Sequence, residues 1–230
     1  MFLGIQKKSF IKKNAIILSA LLLVILVWAA VLFLRTSVVG ESSVNMPVLV
    51  PDENMPYLGR EDAPITLIAF SDPLCPGCKT FFDTVEPDLR TKYIETGLVK
   101  VYHWPMVIDA SISMRALRAM YCAKDQDKYW EYRDVLESAR EPGKWADDFN
   151  QDKYFIEFAD AVNLDINIFV SCLASGSHDA YIIEKDVKRQ ELGIHSSTTV
   201  LINGEFISLA LHDDVMAAIE RILLDKGIYH

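Results

Sequence analysis

The sequence predicts an α/β domain ordered βαβ, then a helical block, then ββα, preceded by one long apolar segment. Three observations carry that prediction. An apolar, partly β-branched run from Pro64 to Asp72 leads into Cys75-Pro76-Gly77-Cys78 and then into helical spacing. The stretch from Asp109 to Leu192 reads as successive helices. Near the end, Thr199-Val200-Leu201-Ile202 and Glu205 to Leu209 flank Asn203-Gly204, a two-residue hairpin signal.

In chain order, residues 1–14 form a basic N-terminus carrying Lys7, Lys8, Lys12 and Lys13. Ala15 to Leu34 comes next as an unbroken apolar run whose only polar member is Ser19. At ~1.5 Å per residue it spans ~30 Å, the hydrocarbon thickness of a bilayer. Residues 15–35 are therefore expected to be a single transmembrane anchor. The positive charge before it puts the N-terminus in the cytoplasm and the rest of the chain across the membrane. A cleaved signal peptide is the rival reading, but the run is long for one, and Val31-Leu32-Phe33-Leu34-Arg35 offers no small-x-small cleavage site.

Charge divides at this boundary. Residues 1–35 hold five Lys/Arg and no Asp/Glu, leaving 18 basic against 32 acidic residues in the remainder. That balance argues against a nucleic-acid partner. Residues 36–57, with Pro47, Pro51 and Pro56, read as a linker. Residues 58–230 form the folded domain, with the helical insertion at about 109–192.

The first strand of that domain ends at the C-x-x-C. Lys79 to Glu95 then has Phe82, Val85, Leu89 and Ile94 at helical spacing, with Pro87 expected to kink or split it. Gly97 stops the helix, and Leu98 to Tyr102 alternates as a second strand. In the insertion, Met114, Leu117, Met120 and Tyr121, then Trp130, Tyr132, Val135 and Leu136, give one or two amphipathic helices. Glu141-Pro142-Gly143-Lys144 is a break, and Lys153 to Val162, Asn167 to Ala174 and Asp179 to Leu192 continue helically. Asp213 to Lys226 closes the chain as a helix with Val215, Ile219, Ile222 and Leu223 on one face. The two outer pieces are the halves of a thioredoxin sheet.

Two thiols at this spacing, where a strand meets a helix, read as thiol–disulfide chemistry. A helix start favours a thiolate through its free N–H groups and the positive end of its dipole. Pro76 suits the first helical turn, where a missing N–H costs nothing. The alternative, half of a structural zinc site, needs two more ligands, and Cys122 and Cys172 are single and distant. No metal and no cofactor is expected. Cys122 and Cys172 have two readings: a second disulfide tying the insertion together, which is the expectation, or two buried free thiols. His195 lies three residues before Thr198, where it can approach the thiols and stabilise a thiolate. The other histidines read as structural or exposed.

These motifs together resemble the exported DsbA-like thiol–disulfide oxidoreductases, in their membrane-anchored branch. The resemblance runs from about Leu58 to Lys226. It rests on Ala63-Pro64-Ile65-Thr66, Phe70 to Cys78, Tyr121-Cys122-Ala123 with Tyr129-Trp130-Glu131-Tyr132, Cys172-Leu173, and Leu192-Gly193-Ile194 with Leu201-Ile202-Asn203-Gly204. It implies a thioredoxin fold, with Cys75 as an exposed nucleophile and Cys78 as the resolving thiol. It implies exported protein thiols or disulfides as substrates, and a membrane redox partner. The chain departs from the family twice. The loop before the hairpin usually reads Gly-Thr-Pro-Thr with the proline in cis, whereas here it is Ser196-Ser197-Thr198-Thr199. Relatives also place a buried Glu six residues before the first Cys, where this chain has Ala69. Without that acid, proton transfer to Cys78 must use water or another group. The substrate-groove loop is accordingly Ser197, Thr198 and Thr199. With Pro76-Gly77 between the thiols and no His there, the couple is expected to be less oxidising than the family's strongest members.

Two functions of other classes use the same residues. Space beside Cys75 and Cys78, if Thr198 opens it, suits Cu(I) binding or delivery. A non-catalytic binding module on the same scaffold is the third reading.

Overall fold

The structure is a computed structural model that describes Trp28, residues 49–140 and residues 152–228. The chain divides into the units Met1–Met46 and Pro47–His230, and the sheet with its helices lies in the second. The expected anchor lies outside the described residues apart from Trp28, as does the break at 141–144. Among the described residues no helix is long and apolar enough to cross a membrane.

Five strands form one sheet in the order β1-β3-β2-β4-β5. They are β1 Tyr57–Leu58, β2 Ile65–Ser71, β3 Val99–Pro105, β4 Thr199–Ile202 and β5 Glu205–Ile207. Strands β2 and β3 run parallel, and the other pairs are antiparallel. The parallel pair needs a crossover, and the helices between the two strands supply it. Helix α1 spans Pro76–Thr84 and α2 spans Glu86–Leu89, with a π turn at Arg90–Ile94. The helix breaks where Pro87 enters near the start of α2, because proline has no N–H to continue the ladder.

Both faces of the sheet are covered. Ile65 and Leu67 of β2 pack with Val99, Val200 and Val215 on one side. Ile68 and Phe70 face the other way, against Trp104, Ile194 and Leu201. This is the period of two that strand side chains impose. Tyr57, the last residue of the expected linker, is paired with Tyr102 in the sheet, and Met55 before it is in the core. Its two-residue strand is too short to show an alternating pattern. Trp130 Nε1 donates to the Tyr57 carbonyl at 2.7 Å and ties this edge to the insertion.

The insertion comprises α3 Ile112–Lys124, α4 Tyr129–Ser138, α5 Asp152–Ala161, α6 Ile166–Ser175 and α7 Asp179–Glu191. They enclose their own core of Leu117, Tyr121, Tyr132, Phe155, Phe169 and Ile182. In the hairpin, Asn203 and Gly204 both have positive φ (47° and 96°), as a type I′ turn requires. β5 stops at Ile207, two residues before the expected end, and Leu209 turns to φ 52°. The last helix, α8, is His212–Asp225.

Candidate active site

The site is built at the carboxyl end of β2. After Ser71 the chain turns on Asp72, which is fully buried. Its carboxylate accepts the Leu74 N–H at 2.6 Å and the Ile108 N–H at 2.7 Å, while its carbonyl accepts the Cys75 N–H at 3.0 Å. Cys75 thereby becomes the N-cap of α1, with Pro76 opening the first turn. Its Sγ accepts the Cys78 N–H at 3.1 Å.

The two thiols are driven apart in acidity. Cys75 is lowered to about 5, chiefly by the hydrogen bond from the Cys78 thiol; the Ser197 hydroxyl, the Cys78 N–H and the Thr198 hydroxyl add to it against the cost of burial. Cys78 is raised well above its usual value because it shares its proton with Cys75 and is buried. The pair thus consists of a thiolate at a helix N-terminus beside a protonated, interior thiol.

Two expectations need correction here. Cys75 is 2 % exposed, not an open nucleophile. The turn before β4 folds over it, and Thr198 Oγ1 stands 3.9 Å from both sulfurs. Thr198 thus stands beside both thiols rather than leaving that side open. His195 is exposed. The hydroxyls that act on Cys75 come from Ser197 and Thr198 instead. Thr199 is buried and donates to the Ser196 carbonyl at 2.9 Å, which closes the turn.

No cis peptide bond occurs among the described residues, so the bond before Thr198 is trans, and Thr198 itself takes φ 65°. A β-branched residue rarely adopts that region. The Thr198 carbonyl is held by the Ala210 N–H at 2.8 Å. Gly77 permits the close approach, since a Cβ there would lie 2.4 Å from Thr198 Oγ1 and 3.7 Å from Cys75 Sγ.

Beneath the thiols lies a cavity of about 50 Å³ whose walls include Ala69, Cys78, Glu86, His103, Arg133 and Glu137. The sequence carried no signal for its charged members, which come from separate elements. Glu86 is a carboxylate between Arg90 and Arg133, held below the usual range against its burial. His103 is lowered to about 4 by burial and by Arg133, so it is neutral. Its Nε2 is 3.3 Å from the Ser71 carbonyl and its Nδ1 meets the Tyr129 hydroxyl, which together assign the proton to Nε2. Glu137 is raised to about 7 by burial. Arg140 donates to Glu137 Oε2 at 2.8 Å and to the Cys75 carbonyl at 2.9 Å.

Cys122 and Cys172 are joined in a disulfide with Cα atoms 5.8 Å apart, linking α3 to α6. His178 lies beside them, and these three form the only metal-type grouping among the described residues; both its sulfurs are already bonded to each other.

A parallel–antiparallel sheet that presents a split-acidity dithiol at the start of α1 defines a thioredoxin-fold dithiol–disulfide exchange protein. The profile of the thioredoxin family matches residues 52–221, and the chain belongs to that family. It is a DsbA-like thiol–disulfide oxidoreductase. Among its relatives is disulfide bond formation protein D of Bacillus subtilis (strain 168), 26 % identical over 76 % of this chain and 79 % of the relative. The probable disulfide bond formation protein D of Bacillus anthracis is also 26 % identical, over 72 % and 77 %. Similar solved structures are oxidised BdbD from Bacillus subtilis (TM-score 0.68, 22 % identity, 74 % of this chain and 93 % of that one) and Chlamydia trachomatis DsbA (TM-score 0.68, 18 % identity, 78 % and 96 %).

Proposed function

We propose that this chain is a membrane-tethered, extracytoplasmic enzyme that exchanges disulfides with exported proteins through Cys75 and Cys78. The observation that carries the reading is the opposed acidity of the two thiols. A low-pKa thiolate is both a ready nucleophile and a good leaving group, and the buried partner thiol stays out of competition. Acting as an oxidant, the protein in its Cys75–Cys78 disulfide form is attacked at Cys75 by a substrate thiolate. The S–S bond between the two cysteines breaks, and a Cys75–substrate bond forms. A second substrate thiol then displaces Cys75, leaving the substrate oxidised by two electrons and the protein dithiol reduced.

The extracytoplasmic placement is supported by the disulfide bond formation that the relatives are named for, a chemistry of oxidising compartments, and by the apolar run at 15–34 with its basic flank. Ser197, Thr198 and Thr199 form the wall that a substrate must meet or displace to reach Cys75. The test is a redox titration of the full chain, in detergent, against glutathione. A reversible two-electron couple is expected between the ~−270 mV of thioredoxin and the ~−120 mV of the strongest oxidant, since a Cys75 pKa near 5 lies between theirs. Absence of reversible exchange would remove the enzyme reading of this site. Alkaline carbonate extraction tests the tether: an anchored chain stays with the membrane pellet.

A further inference from the structure

Cys78 poses a proton problem. Its thiol is 6 % exposed and holds its proton firmly, yet each exchange through the pair must load or remove that proton. The groups able to do so are few. Asp72, at the end of β2, is also raised by burial, but its oxygens accept the Leu74 and Ile108 N–H groups and it does not line the cavity. Glu86 of α2 is fixed as a carboxylate by Arg90 and by Arg133 of α4. Arg133 keeps its charge, held up by Glu86. His103 of β3 has both ring nitrogens engaged and does not take a proton near neutrality. Asp134 of α4 is bonded to Arg90 and is absent from the cavity wall.

Glu137 differs from all of these. It is 6 % exposed, lines the same cavity as Cys78, and is joined through Arg140 to the backbone of Cys75. Burial raises it to about 7, where a group can both give and accept a proton under working conditions. Most of the cavity wall is apolar, but Cys78, Glu86, His103, Arg133, Glu137 and Thr198 also line it and offer polar partners; at about 50 Å³ it has room for a bridging water, which needs only ~10–15 Å³.

Resting on the dithiol-exchange reading above, we propose that Glu137 is the proton relay of Cys78, passing the proton through water in the cavity that both residues line. When a substrate thiolate opens the Cys75–Cys78 disulfide, Cys78 leaves as a thiolate and takes the proton of the Glu137 carboxyl. When the pair is reoxidised, the Glu137 carboxylate accepts the Cys78 proton. The Cys78 sulfur then attacks the mixed disulfide at Cys75: the Cys75–Cys78 bond forms, the Cys75–partner bond breaks, and the partner leaves as a thiolate. Arg140 holds the relay in register with the catalytic turn.

The test mixes the reduced full chain, in detergent, with oxidised glutathione and tracks the two steps by acid quench and mass spectrometry from pH 5 to 9. The first step forms the Cys75–glutathione mixed disulfide, and the second resolves it through Cys78. In the native chain the second step should show an inflection near pH 7. In Glu137→Gln that inflection should vanish and the mixed disulfide should accumulate, the second step slowing ~100-fold at pH 7.5, the low end of what a lost acid–base group costs. Glu137→Asp should keep the inflection and recover part of the rate, which a purely structural ion pair would not predict. If Glu137→Gln does not fold, Glu137→Asp alone decides, since a shortened relay slows the second step several-fold relative to the first. An unchanged second step, or an inflection that survives Glu137→Gln, overturns the relay. If the native chain forms no mixed disulfide, it is the exchange reading that falls.

Discussion

At the scale of single residues, the chemistry turns on how Cys75 is stabilised without a proline in the facing loop. Thr198 supplies a hydroxyl 3.9 Å from both sulfurs, and Ser197 adds a second. The cost is a β-branched residue at φ 65°, of order 1–2 kcal/mol for a non-glycine residue in that region. Thr198→Val keeps the shape and removes the donor. The Cys75 pKa should then rise above about 5, seen as an upward shift of the thiolate absorbance titration near 240 nm. Ser197→Ala should move it the same way. No shift in either variant would show that the helix terminus and Cys78 hold the thiolate unaided. Thr198→Pro cannot keep the present backbone, because proline fixes φ near −65°. It must therefore re-form the turn over Cys75.

At the scale of elements, one connection braces the insertion internally and another holds it to the helices beside the sheet. The Cys122–Cys172 disulfide closes a separation of 50 residues between α3 and α6. Replacing both by Ser should lower stability by ~2–4 kcal/mol, read as an earlier urea midpoint, because the unfolded chain regains the freedom that the link removed. The second connection is the Glu86 cluster, which joins α2 to α4 through Arg133 and, by way of Arg90, Asp134. Glu86→Ala leaves Arg133 buried without its main partner and should cost ~3–5 kcal/mol. A loss under 1 kcal/mol would mean that Asp134 takes over the pairing. The C-x-x-C at the end of β2 and the Asn203-Gly204 hairpin were legible in the sequence, since each depends on residues adjacent in the chain. β1 was not, because a two-residue strand has no periodicity to read.

For the whole molecule, buried titratable groups link stability to pH with opposite signs. Glu137 has a folded pKa of about 7 against 4.5 in the open chain. Its contribution is complete below pH 4.5 and is lost as pH rises through 7, a swing of about 3 kcal/mol. His103 falls from 6.5 to about 4. Its contribution is complete above pH 6.5 and is lost as pH falls through 4, by a similar amount. The stability of Glu137→Gln relative to the native chain, both oxidised so that Cys75 and Cys78 do not titrate, should therefore rise by about 3 kcal/mol between pH 4.5 and 7. Denaturant melts at intervals across that range measure it. A flat difference would place the Glu137 carboxyl at its ordinary value.

The amino-acid sequence by itself determined the βαβ…ββα order, the dithiol at the strand–helix junction and the hairpin that ends the sheet. Each of these is written in local spacing: apolar period, turn chemistry, and two cysteines one helical turn apart. Only the tertiary structure decided that Cys75 lies covered rather than open and that Thr198 stands against both thiols with positive φ. It also decided that Arg140, 65 residues beyond Cys75, bonds to the Cys75 carbonyl and joins Glu137, 62 residues beyond, to that turn. Those outcomes depend on which faces are pressed together when the insertion docks on the sheet. Burial, which sets the acidity of Cys78, His103 and Glu137, exists only once that packing is complete.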